Sequence, residues 1–323
     1  MGISADGSRL FTADTSNLYT WDRSSGGLLH TTQIPEERQD ATVSHDGRLL
    51  AVSKWREEGV LITILDTLTG ETVSTLPHGG WINASSLGFS ADDSLLCAVG
   101  ENEQITSARV WDISAGSLVG EVVRGSPGQP EWHLQAAVFS PTGNGMVLCG
   151  SRVVDGAGLG FLALWNFLSG SDALTLIETE EPITSVVYSH DGRMLAALGG
   201  GWARRIRLWN TETWKNTQTL EIGRVPGSEL GWAVAGSAEI TFSPDAQYLF
   251  EGTGSIWDIQ AGRRVGVLPF LWWEGPAHDP HEMLSGLSWP FVGSGDVQLW
   301  AVNDLLGNLI EPLTRTPTII GGS

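Results

Sequence analysis

Short apolar runs separated by turn-forming residues make up almost the whole chain. Runs of roughly four to six β-branched, aliphatic or aromatic residues are bounded by Gly, Pro, Asp and Ser, which is the pattern of β-strands joined by tight turns. No segment of useful length carries the 3.6-residue period of an amphipathic helix. The pattern therefore predicts an all-β protein.

A turn of the form Ser-x-Asp-Gly, intact or in variant form, recurs every 40 to 54 residues and is followed each time by an apolar run. A recurrence at such a period is typical of repeat architectures. The turns begin at Ser4, Ser44, Ser90, Ser140, Ser189 and Ser243.

A second apolar run in most units ends on Trp-Asp or Trp-Asn, and a tight turn follows it. The second unit has Leu65-Asp66 at this place, and a seventh run ends on Trp300 without the acid. Seven units of about 46 residues, each read as four short strands, predict a single domain over residues 1–323: a seven-bladed β-propeller of four-stranded antiparallel blades. The tryptophans are Trp21, Trp111, Trp165, Trp209, Trp257 and Trp300.

These turns and Trp-Asp endings resemble the WD-repeat family over nearly the whole chain, with degenerate repeats. The Gly-His that opens a family repeat survives only in part, at Pro77-His78-Gly79, and a buried Asp between second and third strands is plausible only at Asp14 and Asp296. The resemblance implies a propeller that acts as an interaction platform. It does not carry over the family's Asp–His–Ser–Trp hydrogen-bond network.

Ring closure is predicted from the two ends of the sequence. The chain begins at the tail of an innermost strand, Gly2-Ile3-Ser4, and ends with the strand-like segment Thr318-Ile319-Ile320. We expect this C-terminal strand to complete the first blade, which would remove two free sheet edges. The alternative is that the sequence is a piece of a longer protein.

The longer connections are predicted to share one face of the propeller, here called the loop face. It carries the connections from the second to the third strand and from each blade to the next. The opposite face, here called the turn face, carries the short turns after the first and third strands. Long loops on a rigid scaffold are a common place for binding. The predicted insertions are 53–59, 100–108, 125–135, 151–160, 199–204, 223–237 and 269–285.

Tryptophan is unusually frequent, with 15 residues, and seven of those outside the repeat positions fall in or beside these insertions. Carboxylates accompany several of these tryptophans. Because indole faces attract apolar groups and cations, the tryptophans predict a ligand site at the mouth of the propeller's central channel. The alternative is that the indoles pack between blades or hold the loops in place. The predicted ligand-binding residues are Trp55, Trp81, Trp132, Trp202, Trp232, Trp272, Trp273 and Glu274.

Composition narrows the classes of partner. The 37 acidic and 18 basic residues give a net charge of −19, which argues against nucleic acid and anionic membranes and favours basic partners. The start of the sequence lacks a signal-peptide pattern, and no apolar run is long enough to span a membrane. We expect a soluble, cytoplasmic monomer whose two cysteines, Cys97 and Cys149, are inert core residues.

Catalytic chemistry has only weak candidates. Glu131 and His133 flank Trp132, and a carboxyl group against an indole could act as an acid or base, although a solvated carboxylate beside a packing Trp is the simpler interpretation. The cluster His278-Asp279-Pro280-His281-Glu282 matches no metal motif, so neither metal nor cofactor is predicted.

Two functions from different classes fit these residues. The first is a recognition or scaffold propeller that binds a protein, a peptide, or an apolar or cationic small molecule through the loop face. The second is a pocket enzyme, with cyclase-type or isomerase-type acid–base chemistry on an apolar substrate at the same face. A third interpretation is the sensor region of a larger signalling protein.

Overall fold

The computed structural model describes residues 2–4, 6–13, 16–34, 38–57, 59–77, 83–102, 105–125, 132–143, 145–154, 156–169, 175–200, 204–223, 240–243, 245–251 and 255–267. Twenty-four strands lie in these ranges and form six antiparallel sheets of four strands. In chain order the sheets contain β1 (Gly2–Ile3), β2 (Arg9–Ala13), β3 (Asn17–Asp22) and β4 (Leu28–Gln33); β5 (Arg38–Val43), β6 (Leu49–Arg56), β7 (Gly59–Asp66) and β8 (Thr72–Pro77); β9 (Asn83–Phe89), β10 (Leu95–Glu101), β11 (Thr106–Asp112) and β12 (Ser117–Arg124); β13 (Trp132–Phe139), β14 (Met146–Val154), β15 (Ala157–Trp165) and β16 (Thr175–Thr179); β17 (Ile183–Tyr188), β18 (Met194–Gly199), β19 (Arg204–Asn210) and β20 (Lys215–Gly223); and β21 (Ile240–Phe242), β22 (Tyr248–Glu251), β23 (Ser255–Asp258) and β24 (Arg263–Val267).

Each sheet is one blade of a propeller. Its four strands pair in sequence order, and the first strands of successive blades pack together from β5 to β9, β13, β17 and β21. The prediction of an all-β propeller with four-stranded antiparallel blades is confirmed. Six blades lie in the described residues, not seven, and the predicted seventh blade and closing strand Thr318-Ile319-Ile320 fall outside them.

The Ser-x-Asp turns are held by the serine and aspartate side chains, which explains their recurrence. In the fifth blade the Ser189 hydroxyl donates to the Asp191 carboxylate at 2.7 Å and accepts from the Met194 amide at 2.9 Å. Gly192 follows with a φ of +70°, which a residue without Cβ adopts at little cost. The same serine-to-aspartate bond is present at Ser4, Ser44, Ser90 and Ser243.

The Trp-Asp endings combine a buried ring with a capped turn. Trp111 and Trp165 are each 2 % exposed between blades. The Asp112 carboxylate accepts a hydrogen bond from the Ala115 amide at 2.8 Å, and Gly116 closes the turn with a φ of +60°. The aspartate thus satisfies a backbone donor that the tight turn would otherwise leave without a partner.

The core lies between neighbouring blades. Residues Leu96–Gly100 of β10 are all buried, because both faces of a blade are covered by its neighbours. One apolar cluster joins Val110 of the third blade to Phe139 and Trp165 of the fourth. This burial on both faces explains the short continuous apolar runs in the sequence.

Three predicted insertions are wrong as loops, because most of their residues are strand. The ladder between β6 and β7 continues to the pair Arg56–Gly59, and that between β14 and β15 continues to Val154–Ala157. The ladder between β10 and β11 reaches Glu101–Thr106. Regular backbone pairing extends beyond the core, and the loop face therefore carries projecting hairpins.

Candidate functional site

The loop face is built from these hairpins and from the starts of the first strands. Because strands in a blade alternate in direction, the tips of β6–β7 and β14–β15 emerge on the same side as the start of β13. In the fourth blade Trp132 is the first residue of β13 and lies opposite Arg152 of β14. The two described indoles of the predicted site, Trp55 and Trp132, are therefore both on this face.

Trp55 lies near the tip of the β6–β7 hairpin and is exposed. Its cross-strand partner Val60 is buried, whereas Trp55 itself is 52 % exposed. Lys54 and Arg56 precede and follow it, and Glu57 is exposed at the tip. A large indole left half in water on a regular strand is available for contact with another molecule.

Trp132 is partly buried and already has several partners. Its ring meets Phe161 edge-on with centroids 4.9 Å apart, and it packs against the core cluster between the third and fourth blades. The guanidinium carbons of Arg124 and Arg152 lie 5.9 and 5.3 Å from the ring centroid. Arg152 also pairs with Glu178. Trp132 thus anchors the start of β13, and the two arginines lie beside its ring, where a cationic ligand would bind.

His133 is exposed next to Trp132, and its backbone is closely packed. A Cβ atom at Gly150 would lie 1.9 Å from the His133 carbonyl oxygen. The register of β13 and β14 shifts at this point, between Leu134 and Ala136. Only glycine at position 150 allows the two strands to approach in this way.

The remaining predicted site residues fall outside the residues that the structure describes. They are Trp81, Trp202, Trp232, Trp272, Trp273, Glu274 and the acid–base candidate Glu131.

Arginine–glutamate pairs neutralise much of the loop face around the fifth blade. Glu181, just before β17, pairs with Arg205 at 3.2 Å and with Arg207. Arg204 reaches across to Glu251 of the sixth blade at 2.9 Å, and the Glu251 side chain is fully buried. Of these pairs, Arg204–Glu251 joins two blades, and removing Arg204 would leave the buried Glu251 carboxylate without its charge partner.

The two cysteines lie on the second strands of neighbouring blades, and the strand registers place Cys149 two residues further along β14 than Cys97 lies along β10. Both are fully buried, and burial raises the pKa of each thiol to about 12. They stay protonated at neutral pH, as the prediction of inert core residues requires.

Within the ranges given above, no group of three or more His, Cys, Asp or Glu side chains is arranged to hold a metal ion. No helix in those ranges is long and apolar enough to cross a membrane. The predicted cytoplasmic location stays a prediction.

Comparison with known proteins gives two partial relatives. The chain is 26% identical to Outer membrane protein assembly factor BamB of Burkholderia pseudomallei (strain K96243) over 194 residues, which are 57% of this chain and 49% of that protein. It is 26% identical to WD repeat-containing protein 90 of Homo sapiens over 284 residues, which are 82% of this chain and 15% of that protein. The chain thus spans at most about half of these relatives, and no protein-family model matches it.

The chain is a WD-repeat-like β-propeller. The repeated blades and the similarity to a WD-repeat protein together carry this statement.

A buried aspartate in this WD-repeat-like propeller lies where the sequence did not indicate one. Asp40, on the first strand of the second blade, accepts from the Leu87 amide of the third blade at 2.9 Å and from the Ala41 amide at 2.8 Å. Burial raises the pKa of Asp40, and these amide hydrogen bonds oppose that shift. Ser86 makes the equivalent link between the third and fourth blades, because its hydroxyl accepts from the Ala137 amide at 2.9 Å.

Spacing from the repeated turn could have found this position. Asp40 and Ser86 each lie four residues before the turn serine of their own blade, at Ser44 and Ser90. The two predicted positions for a buried aspartate, Asp14 and Asp296, are not among the described residues.

In the first blade the Trp21 indole N–H donates to the Thr12 hydroxyl at 2.8 Å. In the described parts of the fifth and sixth blades, the buried indole N–H groups of Trp209 and Trp257 have no partner. Ala197 occupies the position in the fifth blade that Thr12 has in the first, so this position offers Trp209 no hydroxyl acceptor.

Proposed function

We propose that this propeller is a non-enzymatic scaffold that binds a protein or peptide partner through its loop face. The observation that carries the proposal is Trp55, a half-exposed indole on a regular hairpin that projects from that face. Tryptophan is enriched among residues that dominate binding energy at protein interfaces.

The surroundings of Trp132 favour a protein partner over a cationic small molecule. Arg124 and Arg152 lie within 6 Å of its ring centroid, so a second cation there would meet two like charges. A peptide can contact the indole edge and the arginine side chains together, since both present apolar surface with polar ends.

The names of the relatives support the same class of function. BamB is named as an assembly factor for outer membrane proteins, and this name favours a role in contacting other proteins for the present chain as well. The partner, and any shared process, are proposals for this chain because the matches cover only part of each relative.

We also propose that the ring has a seventh blade and that Thr318–Ile320 supplies the missing part of the innermost strand of the first blade, beside β2. The repeat period supports this closure, and so does the short β1, which in the described residues pairs Gly2 with Phe11 and Ile3 with Leu10. Cysteine pairs at positions 12 or 13 and 318 to 320 should form a disulfide under mild oxidation. Failure of every pair to cross-link, while the protein keeps its fold, would count against closure.

The binding proposal is tested by tryptophan fluorescence and melting temperature across acidic peptides, basic peptides, quaternary amines and apolar small molecules. The full chain is compared with Trp55→Ala and with His190→Ala, a control at an exposed position in the Ser189 turn on the turn face. We expect a peptide to quench saturably and Trp55→Ala alone to weaken its binding. Equal effects of the two variants, or a response only to small molecules with turnover, would refute the proposal.

A further inference from the structure

Exposed aliphatic side chains are concentrated on the outer rim of the turn face in the first four blades. They lie at the starts of outer strands or in the turns just before them, and each is 44 to 53 % exposed. We call them the rim stripe: Leu28, Leu29, Leu68, Val73, Leu118 and Leu168.

Contacts between neighbouring blades connect the segments that carry the stripe. The Thr32 hydroxyl of β4 donates to the carbonyl of Thr67, the residue before Leu68, at 2.6 Å. A Cβ atom at Gly116 would lie 3.5 Å from the Ser74 hydroxyl, next to Val73.

The last contact in the series links the third and fourth blades. A Cβ atom at Gly120, two residues after Leu118, would lie 2.9 Å from the carbonyl oxygen of Phe167, the residue before Leu168. Each outer strand therefore touches the turn of the next blade, and the exposed side chains follow one another around the rim.

Where the outer strand of the fifth blade meets the turn of the sixth, the corresponding residues are polar. A Cβ atom at Gly262 of the sixth blade would lie 2.4 Å from the Gln218 amide nitrogen of the fifth. Here Glu212 takes the place of Leu68, and Asn216 and Arg264 take the place of Leu118. The fold therefore does not require exposed aliphatic residues at these positions.

Carboxylates flank the stripe in the second and third blades. Asp66 and Glu71 enclose Leu68 in one turn, Asp112 caps the next, and neither turn segment, 66–71 or 112–117, contains Lys or Arg. Turn hydrogen bonds lower the pKa of Asp66 and of Asp112, mainly those donated by the Thr69 and Ala115 amides.

We propose that the rim stripe docks an extended basic segment of another protein, with aliphatic side chains over the stripe and lysines or arginines facing these carboxylates. The outer strands β4, β8 and β12 are the last strands of their sheets, so the stripe lies along the outer rim, where an extended segment can reach it. A second copy of this chain carries a net charge of −19 and the same acidic turns, so like charges oppose it.

The probe is a 12-residue peptide that alternates leucine with lysine, and its control alternates leucine with glutamate. The test variant is Leu68→Ser with Leu118→Asn, residues that the chain itself has at equivalent places as Ser114 and Asn216. Val123→Ser, near the opposite end of β12 from Leu118, is the matched control for loss of an exposed aliphatic side chain, since its native side chain is 39 % exposed.

We expect saturable binding of the Leu-Lys peptide that falls with salt, weakens about tenfold or more in the double variant, and is unchanged in Val123→Ser. Equal binding of the Leu-Glu peptide, no loss in the double variant, or no saturable binding would overturn the proposal. Self-association of the native chain that the double variant abolishes would assign the stripe to a second copy. Binding that Trp55→Ala weakens and the double variant does not would assign the peptide to the loop face and overturn the proposal for the stripe.

Discussion

Gly150→Ala is expected to destabilise the propeller and to disturb the loop face at once. The added Cβ would lie 1.9 Å from the His133 carbonyl oxygen and 2.9 Å from the His133 carbonyl carbon. The nearest oxygen must move by roughly 1.6 Å to reach an ordinary contact near 3.5 Å, about the separation of non-bonded atoms in packed interiors. That movement separates β13 from β14 next to Trp132.

The cost can be bounded from overpacking in other proteins. Inserting one carbon where the backbone must shift costs about 1 to 3 kcal/mol, and this contact is with a carbonyl group rather than a flexible side chain. We therefore expect a loss near the upper end, about 3 kcal/mol. Urea unfolding followed by tryptophan fluorescence and by circular dichroism measures it.

Gly158→Ala is the matched control on the same hairpin. A Cβ atom at Gly158 would meet nothing within 4 Å, so replacing it should leave stability unchanged or raise it by a few tenths of a kcal/mol. If Gly150→Ala is as stable as Gly158→Ala, the close approach of β13 to β14 is wrong, and with it the placement of Trp132.

Three further predictions concern the repeat itself. Thr12→Val should cost about 1 kcal/mol because it removes the hydroxyl that accepts the 2.8 Å hydrogen bond from the Trp21 indole at nearly constant side-chain volume; urea midpoints measure the loss, and an unchanged midpoint would contradict the geometry. Ser189→Ala should cost about 1 to 3 kcal/mol, since a buried amide loses its hydroxyl acceptor, and an unchanged melting temperature would refute this. Hydroxyl hydrogen bonds from neighbouring serines lower the pKa of Asp6 and of Asp22 to about 2 from an ordinary value of 3.8. The contribution of these two carboxylates to the stability of the fold is therefore present above about pH 4 and is lost towards pH 2. A melting temperature that stays flat from pH 5 to 2 would contradict it.

Much of the fold was predictable because the repeated turns depend on interactions between residues that are close in sequence. A turn such as Ser189 to Gly192 needs a hydroxyl, a carboxylate and a residue with positive φ at fixed spacings, and these are visible in a single sequence. The buried Trp111 and the capping Asp112 mark the second recurring turn, which follows the third strand of a blade.

The lengths of the hairpins were not predictable in the same way. Residues near Trp55 and Val154 combine turn-like and strand-like residue types, and the ladder continues there because each strand already has a paired neighbour. Tertiary pairing decides such segments, which is why sequence patterns alone placed loops in them.

The surroundings of the indoles depend on contacts distant in sequence. Trp132 was expected beside carboxylates, but Arg124 and Arg152 approach it from two other strands, and Phe161 from a third. The buried role of Asp40 has the same origin, since its partner amide at Leu87 belongs to the next blade. A single sequence shows the residue types but not these contacts between residues distant in sequence.

Hydrogen–deuterium exchange with a saturating peptide from the fluorescence titration tests the central claim most directly. The account predicts slower exchange in the hairpin around Trp55 and Gly59, and at the start of β13, when the peptide is bound to the full chain. Protection confined to the Ser-x-Asp turns and the rim of the opposite face, or no protection in the hairpins at saturation, would contradict binding through the loop face.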